Sequence, residues 1–268
     1  MSAFTLFTMI AAALGTVGLG MAILQLLRIR DVPISLKLGA GYALGMVAIS
    51  KLALLGSHTG ATLTAASWLL IAAGLLAGTW VLFDRSGSPG AAARTTTQWV
   101  PKIQTRPLAP IFKDPLILGL LALMTGHFVI TLTNNLTRPI FAWDAFTTWM
   151  YRAKAWTLQD AITPMAYAPD WIAEGGMSGY ALYASQYPAE LSIYAAIAAS
   201  LSGGWSPAAA SAPWTFCFIA LCLTAYGSLR LANISPRIAM TGAYLLCSLP
   251  LLNIHASLAG YGDLWIAM

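Results

Sequence analysis

Four stretches of this chain, Ala3–Leu27, Ala61–Phe83, Leu116–Leu136 and Ile238–Ile254, contain no Asp, Glu, Lys or Arg at all. A helix needs about 20 mostly apolar residues to cross the hydrocarbon layer of a bilayer. Outer-membrane barrels instead alternate apolar and polar residues in short segments. Two further apolar runs, Ile34–Gly56 and Ala209–Leu231, carry charges mainly towards their ends, at Lys37, Lys51 and Arg230. Six spanning helices are therefore predicted. Composition agrees: the chain is 58% hydrophobic and 9% charged, against roughly 25% charged in soluble domains. A net charge of +5 would hint at nucleic acid in a soluble chain. Here the basic residues sit in loops, where they set orientation, and no nucleic-acid partner is expected. Cys217, Cys222 and Cys247 all fall inside apolar runs without metal-ligand spacing, and read as small buried hydrophobes. Ala3–Leu27 lacks the basic flank and cleavage site of a signal peptide and reads as a retained span.

Between the spans, 84–114 is rich in Gly, Pro and Thr and carries Arg85, Arg94, Lys102, Arg106 and Lys113. It reads as a basic cytoplasmic linker between a three-helix N-terminal unit, 1–83, and a second unit, 115–268. The segment 137–208 is the long loop of the second unit. Within it Pro188–Leu201 is apolar but too short to cross. Leaving it uncrossed puts ten of the fourteen Lys and Arg on one side and six of the nine acids on the other. The positive side is then inside, and the N-terminus and 137–208 are outside. The expected fold is an all-α membrane protein: a polytopic transmembrane helix bundle with two interfacial helices in a large outer loop. The acidic segments are expected to face the periplasm or an equivalent lumen.

The first of the two interfacial helices is read in Phe141–Asp160, FAWDAFTTWMYRAKAWTLQD. Helical spacing puts Trp143, Phe146, Met150, Ala153 and Trp156 on one side, and Asp144, Thr148 and Arg152 on another. An aromatic stripe opposite a charged one suits a helix lying at headgroup level. Pro188–Leu201 supplies the second. A second outer acid, Asp263, follows the last span in GYGD. Asp144 and Asp263, with Arg152 and Lys154, would put carboxylates and cations together at one membrane face. Glycosyl transfer from a lipid phosphate uses that mixture: a base for the acceptor proton, cations or a metal for the departing phosphate, and a carboxylate for the oxocarbenium-like sugar. Simpler roles stand beside these. Asp144 could be a helix N-cap, Glu190 could complement a helix dipole, and the aromatics could form an interfacial belt. His127, alone in a span, could be a proton relay or a hydrogen bond to a neighbouring helix.

Taken in order, WDAFTTWMYRAKAW, QYPAELSIYAAIAASL, two spans split by arginines and HASLAGYGDLWIA resemble the GT-C superfamily of polytopic membrane glycosyltransferases. Within it the likeness is to relatives of glycosyltransferase family 39, the protein mannosyltransferase and aminoarabinose transferase group, over about 116–268. The resemblance implies a GT-C-like module with Asp144 and Asp263 as catalytic acids. Arg152, Lys154, Tyr187, Glu190, His255 and Tyr261 would bind substrate, and Asp263 could hold Mg or Mn. It implies a polyprenyl-phosphate sugar as donor and a lipid, glycan or protein as acceptor. It also implies a bacterial inner membrane, with the working face periplasmic or extracellular. The chain departs from the pattern at Gln186-Tyr187-Pro188, where many relatives carry an acidic string, and in ending soon after Asp263, as a truncated module would. The other reading is a transporter or accessory membrane protein of envelope biogenesis. GYGD also matches part of a potassium-channel filter and an intramembrane aspartyl-protease motif. Thr-Val does not precede it, and no second Asp lies inside a span.

Overall fold

The computed structural model describes residues 2–83, 113–176 and 179–268, so most of the linker at 84–114 lies outside the described residues. Five helices are long and apolar enough to cross a membrane. They are α1 (Ala3–Leu26), α2 (Ile34–Ser57), α3 (Leu63–Phe83), α4 (Pro115–Thr137) and α8 (Pro207–Leu231). The sixth expected span is bent by 59° into α9 (Pro236–Cys247) and α10 (Pro250–Ser257). The long loop holds α5 (Met150–Gln159), a two-residue parallel strand pair β1 (Ala166–Tyr167) and β2 (Ala181–Leu182), α6 (Ala168–Ala173) and α7 (Glu190–Leu201). A last short helix, α11, is Asp263–Ala267. The chain is an all-α bundle of the membrane-spanning kind.

Helix starts follow local chemistry. Ser2, Asp114, Ser206 and Ser235 cap α1, α4, α8 and α9 by accepting backbone N–H bonds. Pro occupies the first turn of α4, α8, α9 and α10, where its missing N–H costs nothing. Among the first three helices, close approach replaces apolar bulk as the packing device. A methyl group on Gly20 would overlap the Gly41 carbonyl, and one on Gly18 would overlap Gly74. Small residues that let backbones touch are the usual way spans associate in lipid.

α1 runs antiparallel to α2 and parallel to α3, and the bundle has two ends. One end, here the loop end, gathers the start of α3, the end of α4, the start of α8 and the whole loop. There Asp160 ends α5 in a left-handed conformation and caps α3, accepting from the N–H and Oγ1 of Thr64 at 2.7 Å each. At the opposite end Arg237, at the start of α9, pairs with the α4 cap Asp114.

Two of the expected elements differ. The helix expected over Phe141–Asp160 contains a π-turn at Ala145–Trp149, in which the Met150 N–H reaches back to the Ala145 carbonyl. That extra residue per turn breaks the aromatic stripe. Met150, Ala153 and Trp156 are buried, whereas Trp143 and Phe146 face outward. The second difference is α7, expected on the membrane surface. Every residue from Ser192 to Leu201 is buried, and the helix is wedged among α1, α2, α3, α5 and α8. The reason is in its residues: ELSIYAAIAASL has no polar face, and a helix apolar all round belongs in a core. Small Ala and Ser side chains let five neighbours approach it. Below it Tyr194 is hydrogen-bonded to Thr16 at 2.7 Å and packs edge-on to Tyr42.

Candidate functional site

The segments that carry Asp144 and Asp263 are brought together by glycine. Gly260 (φ +111°) lies against Ala145, so closely that an added methyl would overlap the Ala145 Cβ. The segment bearing Asp144 and the GYGD segment are therefore in backbone-level contact. Gly262 faces Trp149 and Leu191, and the Trp149 ring lies 5.8 Å from that of Tyr187. From behind, Trp214 Nε1 donates to the Tyr261 carbonyl at 2.8 Å. Trp265, one turn of α11 past Asp263, stacks on Tyr42 at 5.8 Å and meets Trp214 and Tyr194 edge-on. Large aromatic contacts of this kind hold a short helix that has few bonds of its own.

Asp144 is exposed, and its side chain caps no helix. No hydrogen bond or ion pair engages it among the described residues, so the N-cap reading of this residue is set aside. Asp263 is also open, its side chain 65% exposed, with an oxygen 3.4 Å from His255 Nδ1. The His255 ring meets the Tyr261 ring edge-on at 5.7 Å. Asp263, His255 and Tyr261 thus sit together, Trp149 and Tyr187 pair beside Gly262, and the segment bearing Asp144 meets Gly260 through Ala145. As a cation site, Asp263 and His255 offer one carboxylate and one imidazole. Mn2+ accepts that set more readily than Mg2+, which favours oxygen.

Three expected substrate contacts are placed differently. Arg152 is 3% exposed. Its guanidinium donates to the carbonyls of Ala184 (2.9 Å), Tyr187 (3.0 Å) and Pro188 (3.3 Å) and lies over the Trp156 ring. Burial presses its pKa below the usual arginine value, with Glu190 acting in the other direction. Arg152 is a clasp on the 184–188 turn, and it faces no water. Glu190 is paired with Lys51 of α2. Burial opposes its ionisation, yet the Lys51 ammonium and the first amides of α7 hold its carboxyl below the ordinary glutamate value. Lys51, near the end of α2, is half of that pair. Lys154 is exposed on α5 and keeps a free ammonium among the described residues.

A shallow cleft opens beside this cluster. Asn134, Asn135 and Arg138 at the end of α4 line it, with Ser211 of α8 and Ser257 of α10. Its other walls are 139–142, which lead into Asp144, and 258–259, which lead into Gly260. None of the polar residues here stood out in the sequence, because Asn and Ser near the end of an apolar run read as interface. A pair of adjacent Asn residues in a span was the available signal. No family model, curated protein or solved structure matches this chain.

Proposed function

We propose that this chain carries the reacting end of a membrane glycosyltransferase. It would move a sugar from a polyprenyl-phosphate donor to a lipid, glycan or protein acceptor at the outer face of a bacterial inner membrane. The observation that supports the reading is the seating of Gly260 on Ala145, which brings together the segments bearing two open carboxylates at the loop end of the bundle. In the reaction, the bond between the sugar's anomeric carbon and the donor phosphate breaks and one to the acceptor oxygen forms. Asp144 takes the acceptor proton, and the phosphate leaves with the polyprenyl chain. Asp263, steadied by His255, would orient a cation against that phosphate, and Mn2+ or Mg2+ bound there would offset its charge. Trp149 and Tyr187 give a sugar ring an aromatic face.

Two measurements test this. Mass comparison of envelope glycolipids and glycoproteins from cells with and without the gene should show a lost or altered glycan; identical profiles would remove the proposal. Asp144→Asn keeps size and polarity but removes basicity, so transfer should fall about 10²–10⁴-fold with membrane insertion unchanged.

A transporter is the second reading, favoured by one feature. At the bend between α9 and α10, Asn253 Nδ2 donates to the carbonyls of Cys247 (2.6 Å) and Leu249 (2.9 Å), and its Oδ1 meets His127 Nδ1 at 2.8 Å. Broken spans with polar side chains are where carriers bind their cargo. Loss of a transported solute in His127→Ala, with glycans intact, would choose this reading.

A further inference from the structure

The cleft beside the acids holds an unmet acceptor. Asn135 is 3% exposed, and its Nδ2 donates to Thr215 Oγ1 at 3.0 Å and to the Ala256 carbonyl at 2.9 Å. A carbonyl can only accept, so the orientation of the amide is fixed. Its Oδ1 is left buried with no donor. An unmet buried acceptor costs about 1–3 kcal/mol, and such a group in a polar cleft wants an O–H or N–H from outside the chain. At the rim stands Arg138, exposed at the C-cap of α4, with no carboxylate paired to it among the described residues. Across the cleft, Ser257 Oγ accepts from Asn134 Nδ2 at a long 3.5 Å and keeps its own proton to donate.

We propose that this cleft binds a phosphate-bearing, hydroxylated headgroup. Arg138 takes the phosphate through paired N–H bonds, a geometry for which a guanidinium is suited. Asn135 Oδ1 accepts a headgroup hydroxyl, and Ser257 donates to a further oxygen. The cleft is open on one side, so a headgroup seated against Asn135 and Arg138 leaves any chain attached to it outside. The site also resolves what Arg152 leaves open: with that guanidinium committed to backbone carbonyls, Arg138 becomes the cation for the donor phosphate. That last assignment rests on the transferase reading; the binding site does not.

The test is binding to the purified protein in lipid nanodiscs. The probes are polyprenyl phosphate, a polyprenyl-phosphate hexose, phosphatidylglycerol and inorganic phosphate. Arg138→Gln should weaken binding of each bound phosphate probe roughly 10- to 100-fold, the worth of a charge-assisted hydrogen bond. Asn135→Asp, which keeps the shape, should reduce the preference for the hexose over bare polyprenyl phosphate, and Ser257→Ala provides a second variant that leaves Asn135 intact. Tighter binding of the polyprenyl probes assigns a lipid-linked headgroup. Equal binding of inorganic phosphate assigns a free one, and preference for phosphatidylglycerol assigns a bulk lipid. Unchanged affinity for every probe in Arg138→Gln would overturn the site. Binding that depends on Arg138 in a protein whose gene deletion alters no glycan would keep the site and remove the transferase. Transfer that survives Arg138→Gln at full rate, with binding also unchanged, would do the reverse.

Discussion

At the residue scale, the buried Arg152 and the exposed Lys154 are two cations of one helix in different surroundings. Arg152 and Lys154 look alike in the sequence, two cations on an amphipathic stretch. The terminal nitrogens of one are committed to backbone carbonyls of a turn that begins thirty-two residues later, and no local pattern encodes that. Arg152→Lys is the substitution that separates the two uses. Lysine is a point charge that cannot span three carbonyls in the fork geometry of a guanidinium. If Arg152 is a clasp, thermal stability of the loop end should fall by about 2 kcal/mol or more, because buried acceptors lose charged donors. A phosphate ligand would instead leave the unfolding transition in place and raise the donor KM. Thermal unfolding of the purified variant, followed by tryptophan fluorescence, distinguishes them. Glu190 offers a pH test. Its carboxyl is held below the ordinary glutamate value in the folded state. Its stabilisation is therefore present above the unfolded pKa, about 4.3, and is lost as pH falls through the lower folded value. Lys51 is more than half exposed, so the effect should stay below about 1 kcal/mol. Glu190→Gln should flatten that part of the stability–pH profile below about pH 5.

At the element scale, what a stretch must do physically decided how legible it was. The spans were readable because a bilayer imposes a length, and α1, α2, α3, α4 and α8 begin and end within two residues of the expected limits. The break between α9 and α10 had its signal in Pro250, which removes a backbone donor and turns the preceding residue away from helix. Burial of α7 was also encoded, in the lack of any polar face; its shortness drew the reading to the surface instead. The π-turn at Ala145–Trp149 had no signal, since one inserted residue leaves composition untouched. Its partner Gly260 did, and it is the element-scale test. At φ +111° a side chain is strained by about 1–3 kcal/mol, and Ala145 leaves no room for a methyl. Gly260→Ala should separate the two acid segments and cut activity sharply. Gly262→Ala is the control: its φ is −78° and its nearest neighbour would be the Leu191 side chain at an ordinary 3.4 Å, so activity should persist. Equal behaviour of the two variants would mean that the seating of Gly260 on Ala145 does not organise the site.

At the scale of the whole molecule, the expected division into two units, 1–83 and 115–268, has a consequence for how the chain folds. Residues 1–83 read as an extension, separated from the rest by a basic linker. Yet α7, inside the long loop, packs on all three N-terminal helices, and α2 packs along α8. A methyl on Gly39 would overlap Ala220 and Thr224, and one on Gly227 would overlap Leu36. Asp160 caps α3, Lys51 pairs with Glu190, and Ser50 Oγ donates to the Glu190 carbonyl at 3.0 Å. Each of these joins the loop to the first three helices, and Tyr42 supports the Trp265 ring that anchors α11 beside Asp263. Removing residues 2–83 would therefore uncover most of α7, whose small side chains have no polar face to offer lipid headgroups or water. It would also leave Asp160 and Glu190 without partners and Trp265 without its stacking ring. A chain starting at 113 should still insert, because α4 and α8 retain the length and apolarity that insertion needs, but it should lose the order of the loop end. Limited proteolysis of membranes from cells making the short chain should cut within α7, which is buried in the full chain. Supplying 1–83 as a separate polypeptide should restore resistance, since the contacts are between packed helices and do not depend on the linker. Resistance in the short chain without that supplement would show that the three helices are the extension the sequence suggested.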